Sequence, residues 1–286
     1  MTKMKPKPYT QVQHNKRVHD SVTSSYEQIH IEIYNPTEQA RIACVLENTI
    51  SQITTLAEVP LILDFGAGTG NLTKHLLNLR TRVVAADVSL KSLTSVKEKF
   101  SETGRIEIAE LNGVDLSNLE DSSFDMVATY SVLHHVPDYL GIVKEFVRVV
   151  KPGGVIYIDH ESAPCFWLED SDDYKAYRKE LQNVYGQSFI GRLARKLENL
   201  FSHNAWRRLV NRKLYGLSDE GDIHVFKDDH IEWDRINELL VEQCILLKRE
   251  DYLVCREVNP TPPLHEKYRA KCVDMRVVIC RKSDCA

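Results

Sequence analysis

From about residue 36 onward, two patterns of apolar positions alternate along the chain. Short aliphatic and β-branched runs take turns with stretches whose apolar residues recur every three or four positions. The runs LILDF (61–65), RVVAAD (82–87), RIEIA (105–109), FDMVAT (124–129) and VIYID (155–159) predict five short buried strands. Between them, Ile42, Val45, Leu46 and Ile50 share one face of a helix that starts at Asn35-Pro36-Thr37-Glu38, where an Asn or Thr side chain can cap the free N–H groups. Leu72, Leu76 and Leu79 mark a second helix over 71–79, and further helices are predicted over 90–100 and 139–150. The last of these is stopped by Lys151-Pro152-Gly153-Gly154, because proline and glycine end a helix and turn the chain. Strands alternating with helices in this way predict an α/β architecture built from βαβ units.

The rhythm breaks after the fifth strand. Residues 161–216 read as helical, amphipathic, and rich in aromatic and basic residues, far longer than an ordinary connection. They predict an inserted helical cap, closed by 217–222. A helix over 229–243, with Asp228 or Asp229 as a plain N-cap, and strands over 245–255 and 275–281 complete the core. The two final strands suit an antiparallel pair at the sheet edge. The expected organisation is a disordered lead-in over 1–20, a core formed by 21–160 and 217–286, and the cap over 161–216.

Composition adds little that is specific. The chain has 286 residues, 43% hydrophobic and 27% charged, enough for a substantial core. A net charge of -4 supplies no global attraction to nucleic acid or to an anionic membrane. The basic N-terminus is not followed by an apolar segment and does not read as a secretory signal. No apolar run approaches the roughly 20 residues that span a bilayer. The 7 cysteines include no C-x-x-C pair, so reduced thiols in a cytoplasmic protein are expected, without a structural zinc site.

The candidate chemistry starts at Leu63-Asp64-Phe65-Gly66-Ala67-Gly68-Thr69-Gly70, between a predicted strand and a predicted helix. A turn without Cβ atoms lets the backbone approach a ligand and exposes helix N–H groups. Asp87 closes the next strand, where a carboxylate can accept from two ribose hydroxyls. The spacing is G-x-G-x-G, which is neither the dinucleotide fingerprint nor, without a following lysine, a P-loop.

With LDFGAGTGN (63–71), AADVS (85–89), SSFDMVATYSVLHHVPD (122–138) and VVKPGGVIYIDH (149–160), the chain from about 60 to 160 resembles the class I S-adenosylmethionine-dependent methyltransferases of the broad ubiquinone/menaquinone-methyltransferase-like type. The resemblance implies a Rossmann-like, seven-stranded, mostly parallel sheet with an antiparallel last strand, and S-adenosyl-L-methionine as cofactor. It implies that Asp64 and the turn Gly66, Ala67, Gly68 and Gly70 contact the methionine part, directly or through water. Asp87 would hold the ribose, Val88 and Ser89 would line the adenine, and Tyr130 and Ser131 would floor the cofactor near its sulfonium. Where the family usually carries an Asp for the adenine amine, this chain has Asn112-Gly113, whose amide carbonyl and backbone N–H can serve instead; Asp115 is the alternative. In related enzymes an N-terminal helix folds over the cofactor, which would bring Tyr26, His30 and Tyr34 over the site or, equally, into core packing.

Methyl transfer asks the protein to align the reactants and, for a hydroxyl or ammonium acceptor, to remove a proton. His134 and His135 follow the fourth strand, and either could orient or deprotonate the acceptor; a hydrogen-bonding scaffold is the plainer reading. His160, between Asp159 and Glu161, and His224, in the segment joining cap to core, are further catalytic candidates. A metal set drawn from His224, His230 and neighbouring acids is the less favoured reading, and no metal is expected. The basic amphipathic segments around 189–197 and 206–213 could cover a small substrate, face solvent, or rest on a membrane.

The leading expectation is therefore a methyltransferase acting on a small-molecule acceptor at oxygen or nitrogen. Methylation of a lipid or quinone at a membrane surface, and a catalytically inert cofactor-binding regulatory module, are the alternatives. A nucleic-acid partner is not expected, since Thr129-Tyr130-Ser131-Val132 is unlike the motif that clamps a flipped base. The oligomeric state is left open.

Overall fold

The structure is a computed structural model, describing residues 12–14, 16–17, 30–55, 57–168, 171–184, 222–257 and 259–284. Its strands are β1 (Leu61–Phe65), β2 (Arg82–Asp87), β3 (Ile106–Glu110), β4 (Phe124–Tyr130), β5 (Val150–Ser162), β6 (Cys244–Tyr252) and β7 (Met275–Lys282). They form one seven-stranded sheet in the order β3-β2-β1-β4-β5-β7-β6. Pairings from β3 to β5 are parallel, and β7 runs antiparallel to both β5 and β6. This is the Rossmann-like sheet with an antiparallel last strand that the motifs implied. The strand order reverses between β1 and β4, and in open α/β sheets ligands bind beyond the carboxyl ends of the strands at such a point.

Helices α1 (Pro36–Ile50), α2 (Asn71–Asn78), α3 (Leu90–Phe100), α4 (Tyr139–Val149), α5 (Trp233–Val241) and α6 (Pro263–Tyr268) flank the sheet. All seven residues of β4 are buried, as a central strand covered on both faces requires. On one face, Phe65 meets Phe146 edge-on at 5.0 Å, and Trp233 and Ile236 of α5 complete the core. On the other, Ile42 and Leu46 of α1 and Leu72 and Leu76 of α2 pack against Ile62, Met126 and Tyr157. Asn35 caps α1, its side chain accepting from Glu38 N, and Pro36 occupies the first turn, where a missing N–H costs nothing.

The structure departs from the sequence expectations at two boundaries. Lys151-Pro152-Gly153-Gly154, expected to be a turn, is the start of β5. Gly154 packs so tightly that a Cβ there would lie 2.8 Å from the Asp125 carbonyl, and the β4–β5 register shifts at this point. The helix expected over 229–243 begins only at Trp233. Asp229-His230 instead pairs with Val225-Phe226 in a short hairpin, and the N-cap is Glu232 rather than Asp228 or Asp229. The Asp229 carboxylate is drawn to His224, 2.6 Å away. Buried Lys282 donates to the carbonyls of Val147 and Val150, satisfying the end of α4 where a cation is favoured.

Of the expected cap, residues 172–184 are helical and form a satellite core in which Tyr174 and Tyr177 meet Leu253, Leu264 and Tyr268. The lead-in up to residue 11, the cap from 185 onward with its basic segments, and Tyr26 lie outside the described residues. Among the described residues no helix is long and apolar enough to cross a membrane.

Candidate active site

The turn after β1 is shaped by its neighbours as much as by its glycines. The backbone N–H groups of Gly66 and Ala67 donate to the Ala86 carbonyl at 2.8 and 3.0 Å, folding the turn back onto β2. Gly66 adopts φ +73°, and a Cβ there would sit 2.5 Å from the Val132 side chain. Asp87 fastens the turn: its Oδ2 accepts from Gly68 N at 2.9 Å and its Oδ1 from Ser89 N at 2.8 Å. Ser89 is buried and its hydroxyl caps α3 by accepting from Ser92 N, so it supports the site from behind.

These residues wall a cavity of about 1070 Å³ including its mouth, at the carboxyl edge of the sheet where the strand order reverses. Gly66 through Thr69, Asp87 and Val88 form one side, Gly113 and Asp115 a second, and Tyr130, Ser131 and Val132 a third. Tyr34 and Val12 reach in from the N-terminal region. The Tyr34 hydroxyl lies 2.7 Å from Thr69 Oγ1, tying that region to the glycine turn. Val12 lies so close over Gly113 that a Cβ there would meet it at 2.4 Å.

Asp64 and Asn112 take other positions. Asp64 is fully buried beneath the turn, accepting from the Thr73 hydroxyl at 2.5 Å. Burial, helped by the nearby Asp87 carboxylate, pushes Asp64 up to about 7 against the pull of its Thr73 hydrogen bonds. The Asn112 carbonyl is occupied by Val114 N and Asp115 N, which shapes the loop and leaves Asp115 as the carboxylate on the wall. Hydrogen bonds from Ser117 and Asn112 hold Asp115 below the usual carboxylate range.

The loop after β4 carries the other end of the cavity. Ser131 takes φ +60°. Beyond it, buried Glu161 organises the segment from Val132 to His134. Its Oε1 accepts from Val132 N and Leu133 N at 2.9 and 2.7 Å, and its Oε2 lies 2.8 Å from His134 Nδ1. His135, not His134, borders the cavity.

His160 is placed behind the cavity wall. Its φ of +61° coincides with the irregularity in the β5–β7 register, and its ring stacks on Tyr130 at 4.6 Å between centroids. Its Nδ1 lies 2.9 Å from the Tyr130 hydroxyl and 3.2 Å from that of Tyr252. Around it is a buried network that the sequence pattern did not reveal. Arg41 donates to Glu38 at 2.6 Å, to Asp159 at 2.8 Å and to the Tyr252 hydroxyl at 2.9 Å, while the Tyr157 hydroxyl donates to Asp159. Tyr130 donates to Glu38 at 2.9 Å. Burial alone would raise Glu38, but its hydrogen bond with His160 and the Arg41 guanidinium outweigh burial and hold it at about 2. Glu38 stands on the same buried face of α1 as Ile42 and Val45. A charged residue in an apolar stripe was the available signal.

His224 has both ring nitrogens engaged within the protein, with Asp229 at 2.6 Å and the Val136 carbonyl at 3.0 Å. It fastens the hairpin to the loop that precedes α4 and does not line the cavity.

A sheet of this order, with a glycine turn and a strand-end acid meeting at the reversal point, defines a class I S-adenosylmethionine-dependent methyltransferase domain. Comparison with known proteins agrees: residues 63–158 match the family described as a methyltransferase domain. The chain is 34% identical over 133 residues to a demethylmenaquinone methyltransferase of Bacillus pumilus, covering 44% of this chain and 56% of that protein. It is 35% identical over 130 residues to one of Staphylococcus haemolyticus, covering 44% and 54%. The chain thus spans about half the length of the curated relatives it matches. In fold it resembles the N-methyltransferase NodS of Bradyrhizobium japonicum, solved with S-adenosyl-L-homocysteine, with a TM-score of 0.55 at 13% identity over 94% of this chain and 98% of that one. It also resembles an S-adenosylmethionine-dependent methyltransferase of Methanosarcina mazei, with a TM-score of 0.50 at 20% identity over 84% and 97%.

Proposed function

We propose that the chain binds S-adenosyl-L-methionine in this cavity and transfers its methyl group to oxygen or nitrogen of a small-molecule acceptor in the cytoplasm. The observation that carries the reading is the convergence of the glycine turn, Asp87 and the Tyr130-Ser131-Val132 segment on one cavity. The residues fit the cofactor. Gly66 and Gly113 sit where any Cβ would collide, so the turn and the opposite wall are kept thin. Asp87 spends one lone pair of each oxygen on Gly68 and Ser89; a carboxylate has about four acceptor positions, so two remain for ribose hydroxyls.

When bound, the cofactor supplies a methyl group on a sulfonium, already a good leaving group. The protein's part is to orient and to exclude water. Asp64, buried beneath the turn and off the cavity surface, is the acid that acts on an ammonium through water. Gly113 and Asp115 stand on the side for the base, and Tyr130 and Ser131 form the floor. Glu161 fixes the loop after β4, so His135 is presented at the acceptor end by a preset backbone. Tyr34 and Val12 cover the mouth and shut out water.

Calorimetric titration with S-adenosyl-L-homocysteine tests the cofactor site, and a protein with no measurable affinity would end this reading. Labelled cofactor incubated with a metabolite extract tests turnover; tight binding without any labelled product would favour an inert regulatory module. The relatives named as demethylmenaquinone methyltransferases favour a second reading, in which the acceptor is a quinone at a membrane surface. Transfer to a quinone in liposomes, lost when Arg207, Arg208 and Arg212 are replaced together, would establish it.

A further inference from the structure

We propose that His134, His135 and Asp222 form a site for one divalent metal ion of the zinc class, at the acceptor end of the cavity. The two histidines follow β4, and Asp222, far from them in sequence, lies against them. Backbone N–H groups of Ile223 and His224 both donate to the His134 carbonyl, at 2.9 and 3.0 Å, which fixes Asp222 against the histidine pair.

The atoms are set for coordination. Asp222 Oδ1 lies 3.2 Å from His135 Nδ1 and 3.7 Å from His134 Nε2. One ligand atom from each of the three residues falls within 4.8 Å of the others. Zinc bonds of 2.0–2.2 Å in a tetrahedron separate neighbouring ligand atoms by about 3.4 Å, between the two distances seen.

Glu161 settles the tautomer of His134. Its Oε1 already accepts two backbone N–H groups, and its Oε2 faces His134 Nδ1 at 2.8 Å. A proton therefore sits on Nδ1, which leaves Nε2 as the nitrogen that faces Asp222 and would bind the metal. A buried carboxylate behind a histidine is the usual outer partner of a metal-bound imidazole, fixing the ring and raising its basicity. The set is distinct from His224 and His230: His224 is committed to Asp229 and the Val136 carbonyl.

Two imidazoles and one carboxylate leave a coordination position for water or for a substrate oxygen. His135 also borders the cavity, so that position belongs to its acceptor end. That consequence rests on the methyltransferase reading: an acceptor hydroxyl on the metal would release its proton to solvent water more readily, and its oxygen would be held for alignment with the methyl group. Metal binding itself does not depend on that reading.

The test uses the full chain, stripped with chelator and titrated with Zn²⁺ without cofactor, alongside Co²⁺ binding followed by its visible absorption. One ion per chain is expected, with tetrahedral cobalt bands. His135→Ala and Asp222→Asn, both at partly exposed positions, should weaken binding by at least about 100-fold with unchanged circular dichroism. Glu161→Gln should weaken it about 10- to 100-fold, the range for a lost outer partner. His230→Ala should leave it unchanged. Absence of binding tighter than about 100 μM overturns the proposal. So does one-to-one binding that survives both His135→Ala and Asp222→Asn, or that is lost in His230→Ala. Metal bound as expected in a protein that binds no S-adenosyl-L-homocysteine would uphold the site and refute only the methyltransferase reading.

Discussion

Asp64→Asn should make the ligand-free protein more stable at pH 8 while changing it little at pH 4. The Asp64 carboxyl is fully buried and raised from 3.8 to about 7. A raised acid binds its proton more tightly in the folded protein than in the unfolded chain. Its contribution is therefore fully present below pH 4, declines as pH rises, and is lost above 7. At 1.36 kcal/mol per pH unit, a separation of about 3 corresponds to about 4 kcal/mol across the window, of which about 2–3 kcal/mol falls between pH 5 and pH 8. Asparagine keeps the oxygen that accepts from Thr73 and never ionises, so the variant should lack this part of the slope. Urea unfolding of both proteins at pH 5 and pH 8 isolates the difference, because every other titrating group is shared. The same carboxyl links protonation to the cofactor. An ammonium held over the turn near Asp64 would lower its pKa, so binding near pH 6.5 should release up to about three-quarters of a proton and binding at pH 8.5 almost none. Calorimetry of S-adenosyl-L-homocysteine binding in two buffers of different ionisation enthalpy reads that number. Parallel pH slopes for the two proteins would refute the burial argument, and a wild-type protein releasing no proton at either pH would refute the docking argument.

Asp87→Ala removes the acceptor of two backbone N–H groups as well as the carboxylate for ribose. It should weaken S-adenosyl-L-homocysteine binding more than tenfold by calorimetry, and unchanged affinity would contradict the assignment. Gly66→Ala places a Cβ 2.5 Å from Val132 in a left-handed backbone conformation; a lowered melting temperature and lost cofactor binding are expected, and a protein normal in both would show that the loop after β4 yields freely. Arg41→Ala leaves the carboxylates of Glu38 and Asp159 buried without their cation, so denaturant titration should show a loss of about 3–5 kcal/mol. His160→Ala should lower stability and turnover together, because His160 acts through Tyr130 from within that network; a stable variant with unchanged turnover would separate His160 from the site.

The difference between what the sequence revealed and what it hid tracks the distance over which each part is assembled. The cofactor side is built within one βαβ unit: the turn leaving β1 bonds to Ala86, and Asp87 at the end of β2 bonds back to Gly68. Such contacts leave a local mark, since glycines and an acid must fall at fixed offsets from two apolar runs. The acceptor side is built from residues far apart in the chain. Glu161 at the end of β5 sets the loop after β4, Asp222 arrives from beyond the insertion, and Arg41 on α1 ties β5 to β6 through Asp159 and Tyr252. No offset connects these positions. Histidines could therefore be named as candidates there but not ranked. His160 stands between two acids in the sequence, yet its own left-handed backbone at a register shift turns its ring toward α1. His134 and His135 are equivalent in the sequence pattern, and what separates them is which ring Glu161 captures, leaving the other at the cavity. The same reasoning explains the misplaced start of α5. Asp229 resembles a cap when only its own neighbours are considered, and it loses that role because His224 offers its carboxylate a stronger partner. Partner choice among polar groups, settled only after the strands have assembled, is where a local pattern stops being informative.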